Sequence, residues 1–78
     1  METKISIQKA YFKLKSGNIG KSDFAALVNH PSVLIRHYLA RNESTPLSVL
    51  KLLIWDPDML VRDYATRNYL KKKRREKV

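Results

Sequence analysis

Apolar residues fall at three- and four-residue steps along most of the chain, and no segment alternates strictly between apolar and polar. That pattern predicts amphipathic helices and no strands. Ile7, Ala10, Tyr11 and Leu14 predict a first helix over Ile5 to Ser16, which Gly17-Asn18 stops. A second starts near Ser22-Asp23, with Ser22 as the cap and Asp23 suited to the positive end of the helix dipole. It carries Phe24, Leu27 and Val28 and stops before His30-Pro31, because a residue ahead of proline disfavours helical angles. Pro31 then opens a third helix, where its missing N–H costs nothing. Val33, Leu34, Ile35, Tyr38 and Leu39 form its apolar stripe, and Asn42 ends it in a left-handed cap conformation. Ser44-Thr45-Pro46 caps and starts a fourth helix, whose buried side is Leu47, Leu50, Leu53 and Ile54. Asp56-Pro57-Asp58 makes the next break and cap, and Met59, Leu60, Val61, Tyr64 and Ala65 continue the core in a fifth.

The elements repeat. Displaced by 26 positions, Ala26 to Asn42 lies over Leu52 to Asn68. Seven of the 17 pairs are identical: Leu27/Leu53, Pro31/Pro57, Leu34/Leu60, Arg36/Arg62, Tyr38/Tyr64, Arg41/Arg67 and Asn42/Asn68. Five further pairs are apolar in both copies. The expected organisation is one helical-repeat domain over residues 1–70, with a capping helix (1–17), repeat one (22–43) and repeat two (45–70). Residues 71–78 then form a basic C-terminal extension. A repeat cannot bury its apolar face alone, and about three units are usually needed. Self-association is therefore one way to cover what two copies and a cap leave open.

The turns carry a resemblance. Ala40-Arg41-Asn42-Glu43-Ser44-Thr45-Pro46-Leu47-Ser48-Val49-Leu50, followed by Trp55-Asp56-Pro57-Asp58-Met59-Leu60-Val61-Arg62, resembles the leucine-rich-repeat variant family, which belongs with the HEAT-like helical repeats. It covers roughly Ser22 to Asn68, and the Asn-x-x-Thr-Pro turn and Asp-Pro-Asp helix start are its most specific parts. Copy one has Asn29-His30-Pro31-Ser32 in place of the acidic turn. After Asn68, Tyr69-Leu70 runs straight into lysines, where the array ends. The resemblance implies an all-α fold, a short right-handed α-α superhelix of stacked helix pairs with about five helices. It also implies a binding scaffold rather than a catalyst.

Composition narrows the function. With 78 residues and 9.1 kDa, there is room for one small domain. The chain has no Cys, which excludes disulfides, thiol nucleophiles and zinc-finger or iron–sulfur sites. Two glycines leave no glycine-rich phosphate loop. No enzyme activity and no cofactor are expected. The longest apolar run near the middle, Leu52-Leu53-Ile54-Trp55, is far short of the roughly 18 residues a membrane helix needs. No signal peptide is read at the N-terminus, so a cytoplasmic location is expected.

Charge supplies the partner. The formal net charge is +9, and residues 62–77, with eight bases against two acids, carry +6 of it. Nothing breaks a helix between Ala65 and Lys77, so the last helix can extend into the tail. Arg67, Lys71, Arg74 and Arg75 then lie near one face at helical spacing. Such a comb reaches several phosphates and releases their counterions. The candidate nucleic-acid contacts are Arg36, Arg41, Arg62, Arg67, Lys71, Lys72, Lys73, Arg74, Arg75 and Lys77. Two other readings of the tail stay open, a solvated end that aids solubility and a nuclear import signal. Tyr69 is the sole aromatic in the tail, which argues little for base stacking there. The recurring arginines also have two readings. Arg36/Arg62 and Arg41/Arg67 form a phosphate-contacting ridge, or they bridge neighbouring repeats to Asp56, Asp58 or Asp63.

His30 and His37 lack the carboxylates or thiols of a metal set. Tyr38 and Tyr64, at equivalent positions, read as core or seam residues. Trp55 stands where copy one has Asn29, and either seals the gap between repeats or anchors a partner. The expected function is a non-enzymatic module contacting nucleic acid without sequence preference. The alternative is a protein-interaction adaptor for an acidic partner, built on the repeat surface and Trp55.

Overall fold

The computed structural model describes residues 7–17 and 19–76. Five helices follow in order: α1 (Ile7–Ser16), α2 (Lys21–Leu27), α3 (Val33–Arg41), α4 (Leu47–Leu53) and α5 (Met59–Glu76). There is no strand among the described residues. Helices α1, α3 and α5 form a row in which each packs on the next, while α2 and α4 lie against that row. The molecule measures 44 × 26 × 18 Å. The 18-residue α5 accounts for about 27 Å of the long dimension at 1.5 Å per residue.

The core is one cluster. Ala10, Leu14, Phe24, Leu27, Val28, Ile35, Leu39, Val49, Leu50, Leu53, Val61 and Ala65 are all buried in it. Each large aliphatic side chain sealed here contributes about 1.5–3 kcal/mol relative to exposure. The expected stripes were wider than the buried ones. In α3 only Ile35, Leu39 and Ala40 are buried, and in α5 Val61 and Ala65, whereas Val33, Leu34, Met59 and Leu60 are exposed. Residues i and i+4 share a face, and a helix rotates about 100° per residue, so the flanking apolar positions turn off the seam.

Four helix boundaries differ from expectation. Ser22 is not the cap of α2; Gly20 holds that position, and the Asp23 carboxylate accepts the Gly20 N–H at 3.0 Å. That bond, with Lys13 Nζ at 3.4 Å, holds the Asp23 carboxyl below the usual aspartate range. Pro31 lies outside α3, whose N-cap is Ser32. Asn42 is extended, at φ −70° and ψ 127°, rather than left-handed. Its Oδ1 instead accepts the Ser44 N–H at 2.8 Å, an Asx turn that leads the chain away. Gly17 does take the left-handed conformation expected of a stop, at φ +76°. Thr45 does not cap α4; it is fully buried and donates its hydroxyl to Leu39 O at 2.7 Å.

The 26-residue period reappears in the bonds. Arg36 donates Nη1 to His30 O (2.6 Å) and Pro31 O (3.3 Å), and Arg62 donates Nη1 to Asp56 O (2.8 Å) and Pro57 O (3.0 Å). The Ser32 N–H bonds His30 Nδ1 (3.0 Å), and the Asp58 N–H bonds Asp56 Oδ1 (2.9 Å). His30 thus does in copy one what an acid does in copy two. Asn42 Nδ2 donates to Leu14 O (3.3 Å), and Asn68 Nδ2 to Ala40 O (3.0 Å). The last pair, with ring contacts Tyr11–Tyr38 (4.9 Å) and His37–Tyr64 (5.7 Å), puts α1 in register with α3 and α5. Helix α1 thus meets α3 through the same contacts, 26 residues earlier, by which α3 meets α5.

Arg36 ties the units together. Its Nε lies 2.8 Å from Asp56 Oδ2, with the two side chains 14% and 5% exposed. Asp58 caps α5 by accepting the Val61 N–H at 2.9 Å and meets His37 Nε2 at 2.9 Å. The Val61 N–H, then His37, keep the Asp58 carboxyl below its ordinary value. A carboxyl depressed in the folded state contributes stability above its unfolded value and loses it as acid titrates the folded one.

Candidate nucleic-acid interface

The candidate cations separate by what holds them. Arg36 and Arg62 are engaged at the inter-helix turns, on Asp56 and on backbone carbonyls. Arg36, half-buried, bridges the repeats as the second reading expected. Arg41 closes α3, which ends there. Its guanidinium carbon lies 5.1 Å from the Tyr64 ring centroid, a cation–π contact that leaves the outer edge of the guanidinium open. Arg67 pairs with Asp63 one turn back at 3.3 Å, but these side chains are 75% and 50% exposed. Such a pair contributes little and yields readily to a phosphate.

Helix α5 continues to Glu76 without a break, so the described part of the basic tail is helical. Its cations leave the helix in two directions. Lys71 and Arg74 join Arg41, Tyr64, Arg67, Asn68 and Leu70 around an open cleft between α3 and α5; Glu43 is the acid on its rim. Lys72 and Arg75 border a separate hollow beside Pro46 and Leu47 at the start of α4. Arg75, one turn beyond Lys71, stands at the α4-side edge of that face and lines this hollow rather than the cleft. Lys73 is exposed. Lys77 lies outside the described residues.

Asparagine side chains offset the negative backbone at the helix ends. The ends of α1 and α3 would present carbonyl oxygens, the negative pole of each helix, to this side. Asn42 Nδ2 takes up Leu14 O, and Asn68 Nδ2 takes up Ala40 O and Asn42 O, both at 3.0 Å. With those oxygens bonded, the charges left at the rim are mostly the arginines and lysines.

One cationic position was missed. A second cleft, between α1 and α3, is lined by Tyr11, Leu14, Lys15, Tyr38, Arg41 and Asn42. Lys15 stands 26 residues before Arg41, as Arg41 stands 26 before Arg67. Carrying the offset back one unit finds it, although residues around Lys15 share few identities with the later copies.

Trp55 does not seal the repeats: it is 83% exposed, beyond the end of α4. Tyr38 and Tyr64 are half-buried seam residues. Among the described residues, no group of three or more His, Asp or Glu side chains is placed to hold a metal. No helix among them is long and apolar enough to cross a membrane. Comparison of the chain with protein-family models, with curated proteins and with solved structures gives no match.

Proposed function

We propose that the chain is a non-enzymatic, cytoplasmic binding module that holds nucleic acid on the basic face formed by the end of α3 and the C-terminal half of α5. The observation that carries this reading is the cleft in which Arg41, Arg67, Lys71 and Arg74, drawn from two helices, surround one recess. Convergence from separate elements distinguishes it from a solvated lysine tail, whose charges would project independently. Arginine adds a planar fork that grips phosphate oxygens with two bonds. No side-chain set with the fixed polar geometry of base-edge readout accompanies these cations, so binding is sequence-independent. The repeating bonds at 26-residue spacing support assigning the helices to a short right-handed α-α superhelix of the HEAT-like, leucine-rich-repeat variant kind.

Affinity for a 20-nucleotide oligomer, read by fluorescence anisotropy, should fall steeply between 50 and 200 mM salt. Four phosphate contacts give a log–log slope of about −3 to −4. A flat salt dependence, or no complex at 50 mM salt, would overturn the reading.

A second reading rests on Trp55. An exposed tryptophan, with Leu52 60% and Met59 70% exposed nearby in the chain, suits an anchor for a protein partner. Capture of a discrete protein that survives nuclease treatment and is lost in Trp55→Ala would favour it.

A further inference from the structure

The two clefts are the same site one repeat apart. Between α3 and α5 stand Arg41, Tyr64, Arg67 and Asn68, and between α1 and α3 stand Lys15, Tyr38, Arg41 and Asn42. Every member of the second set lies 26 residues before its counterpart in the first. The two clefts thus share a pattern of two cations, one half-buried tyrosine ring and one asparagine that bonds backbone carbonyls. The first adds Lys71 and Arg74 and the second adds Tyr11, and the rings also pack on neighbours, Tyr38 on Tyr11 and Tyr64 under Arg41. Arg41 belongs to both, closing one cleft and opening the next. Lys15, Arg41 and Arg67 consequently follow one another across α1, α3 and α5, one per helix, whereas the basic tail runs along α5. Packed helices stand about 8–10 Å apart, so the sites are spaced at that step.

The alternation of ring and charge distinguishes among polyanions. A duplex offers phosphates at its surface but keeps its base faces stacked inside. A single strand offers both a phosphate and a π-face at every nucleotide, and sites for it combine a cationic track with aromatic platforms. An acidic peptide has the charge and lacks the rings. We infer that the ligand of this face is a single-stranded nucleic acid that crosses α1, α3 and α5 through both clefts, with Arg41 shared between them. The inference rests on the proposed nucleic-acid function and adds the strand type, the path and Lys15.

The test compares two charge reversals that change net charge equally. Lys15→Glu alters the cleft between α1 and α3. Lys51→Glu alters an exposed residue of α4, in the other layer. Labelled single-stranded RNA and DNA of 20 nucleotides, the matching duplex and polyglutamate are titrated against each full-length variant, with helicity checked by circular dichroism. Lys15→Glu should weaken single-strand binding about tenfold, against less than about threefold for Lys51→Glu, and wild type should prefer the single strand to the duplex by about tenfold. Tyr64→Leu, which keeps an apolar side chain on the core, should weaken the single strand about fivefold and the duplex by clearly less, the duplex loss being that of the Arg41 contact the ring supports. Equal losses from Lys15→Glu and Lys51→Glu, or duplex or polyglutamate bound as tightly as the single strand, would overturn the inference and leave the wider function standing. Failure of the wild-type chain to bind any nucleic acid would overturn both.

Discussion

Asp56→Ala lowers the free energy of unfolding by about 3 kcal/mol, read as a shift of the urea midpoint with unchanged slope. The carboxylate has three hydrogen bonds to lose, from two residues. Oδ2 bonds Arg36 Nε at 2.8 Å, and Oδ1 accepts both the Asp58 N–H at 2.9 Å and Arg36 Nη2 at 3.4 Å. Truncation strands a turn N–H and leaves the mostly buried Arg36 guanidinium with carbonyl partners but no counter-charge, and the uncompensated charge dominates the cost. A chain of this length has about 4–12 kcal/mol in total, so the variant approaches the limit of a folded state. Asp56→Asn keeps an acceptor for the Asp58 N–H and should lose clearly less. A change under about 1 kcal/mol for Asp56→Ala would mean that Arg36 does not join the repeats.

The second large effect is on binding. Replacing Arg41, Lys71 and Arg74 together by Gln should weaken nucleic-acid affinity about tenfold to a hundredfold while leaving the fold intact. Each exposed charged contact contributes up to about 1 kcal/mol, and three of them give that range. The salt dependence should flatten as well, by about 0.7 in log–log slope for each single-strand phosphate contact removed. The control exchanges Lys72, Lys73 and Arg75 for Gln, which subtracts the same charge from the other directions of α5. Isothermal titration at fixed salt compares the two. Equal losses would show that net charge alone, without the cleft, attracts the polyanion.

Much of the fold was legible because it was written twice. The Pro31/Pro57 breaks, the Arg36/Arg62 turns and the Asn42/Asn68 helix ends recur at one offset, and their backbone bonds recur at the same offset. Burial was harder to read. Leu34 and Leu60 match between copies and are apolar, yet both are about half exposed. Periodicity marks a face as wide as its apolar stripe, whereas the neighbouring helix covers only the Ile35/Leu39 and Val61/Ala65 ridge. Capping was misread where a backbone position took the place of a side chain, as at Gly20, and where a threonine turned inward, as at Thr45.

The site was legible as charge and not as geometry. The bases of the last helix announce themselves by number, but which of them meet Arg41 depends on the rotation of α5 against α3. Arg36 and Arg41 look alike in the repeat; one reaches a buried carboxylate, and the other ends a helix over a tyrosine ring. Lys15 was hidden because α1 resembles the later copies in position more than in residues. Trp55 has no counterpart in copy one, so the repeat carried no information about its exposure.

The central claim is that a single polyanion lies across the α1–α3–α5 row at its basic end. Amide chemical-shift mapping during titration with a single-stranded 20-mer tests it most directly. The account predicts shifts concentrated at Lys15, Arg41, Asn42, Arg67, Asn68, Lys71 and Arg74, with the Trp55 indole and Lys51 unmoved. Shifts centred on Trp55 and α4, or spread evenly over every lysine and arginine, would contradict it.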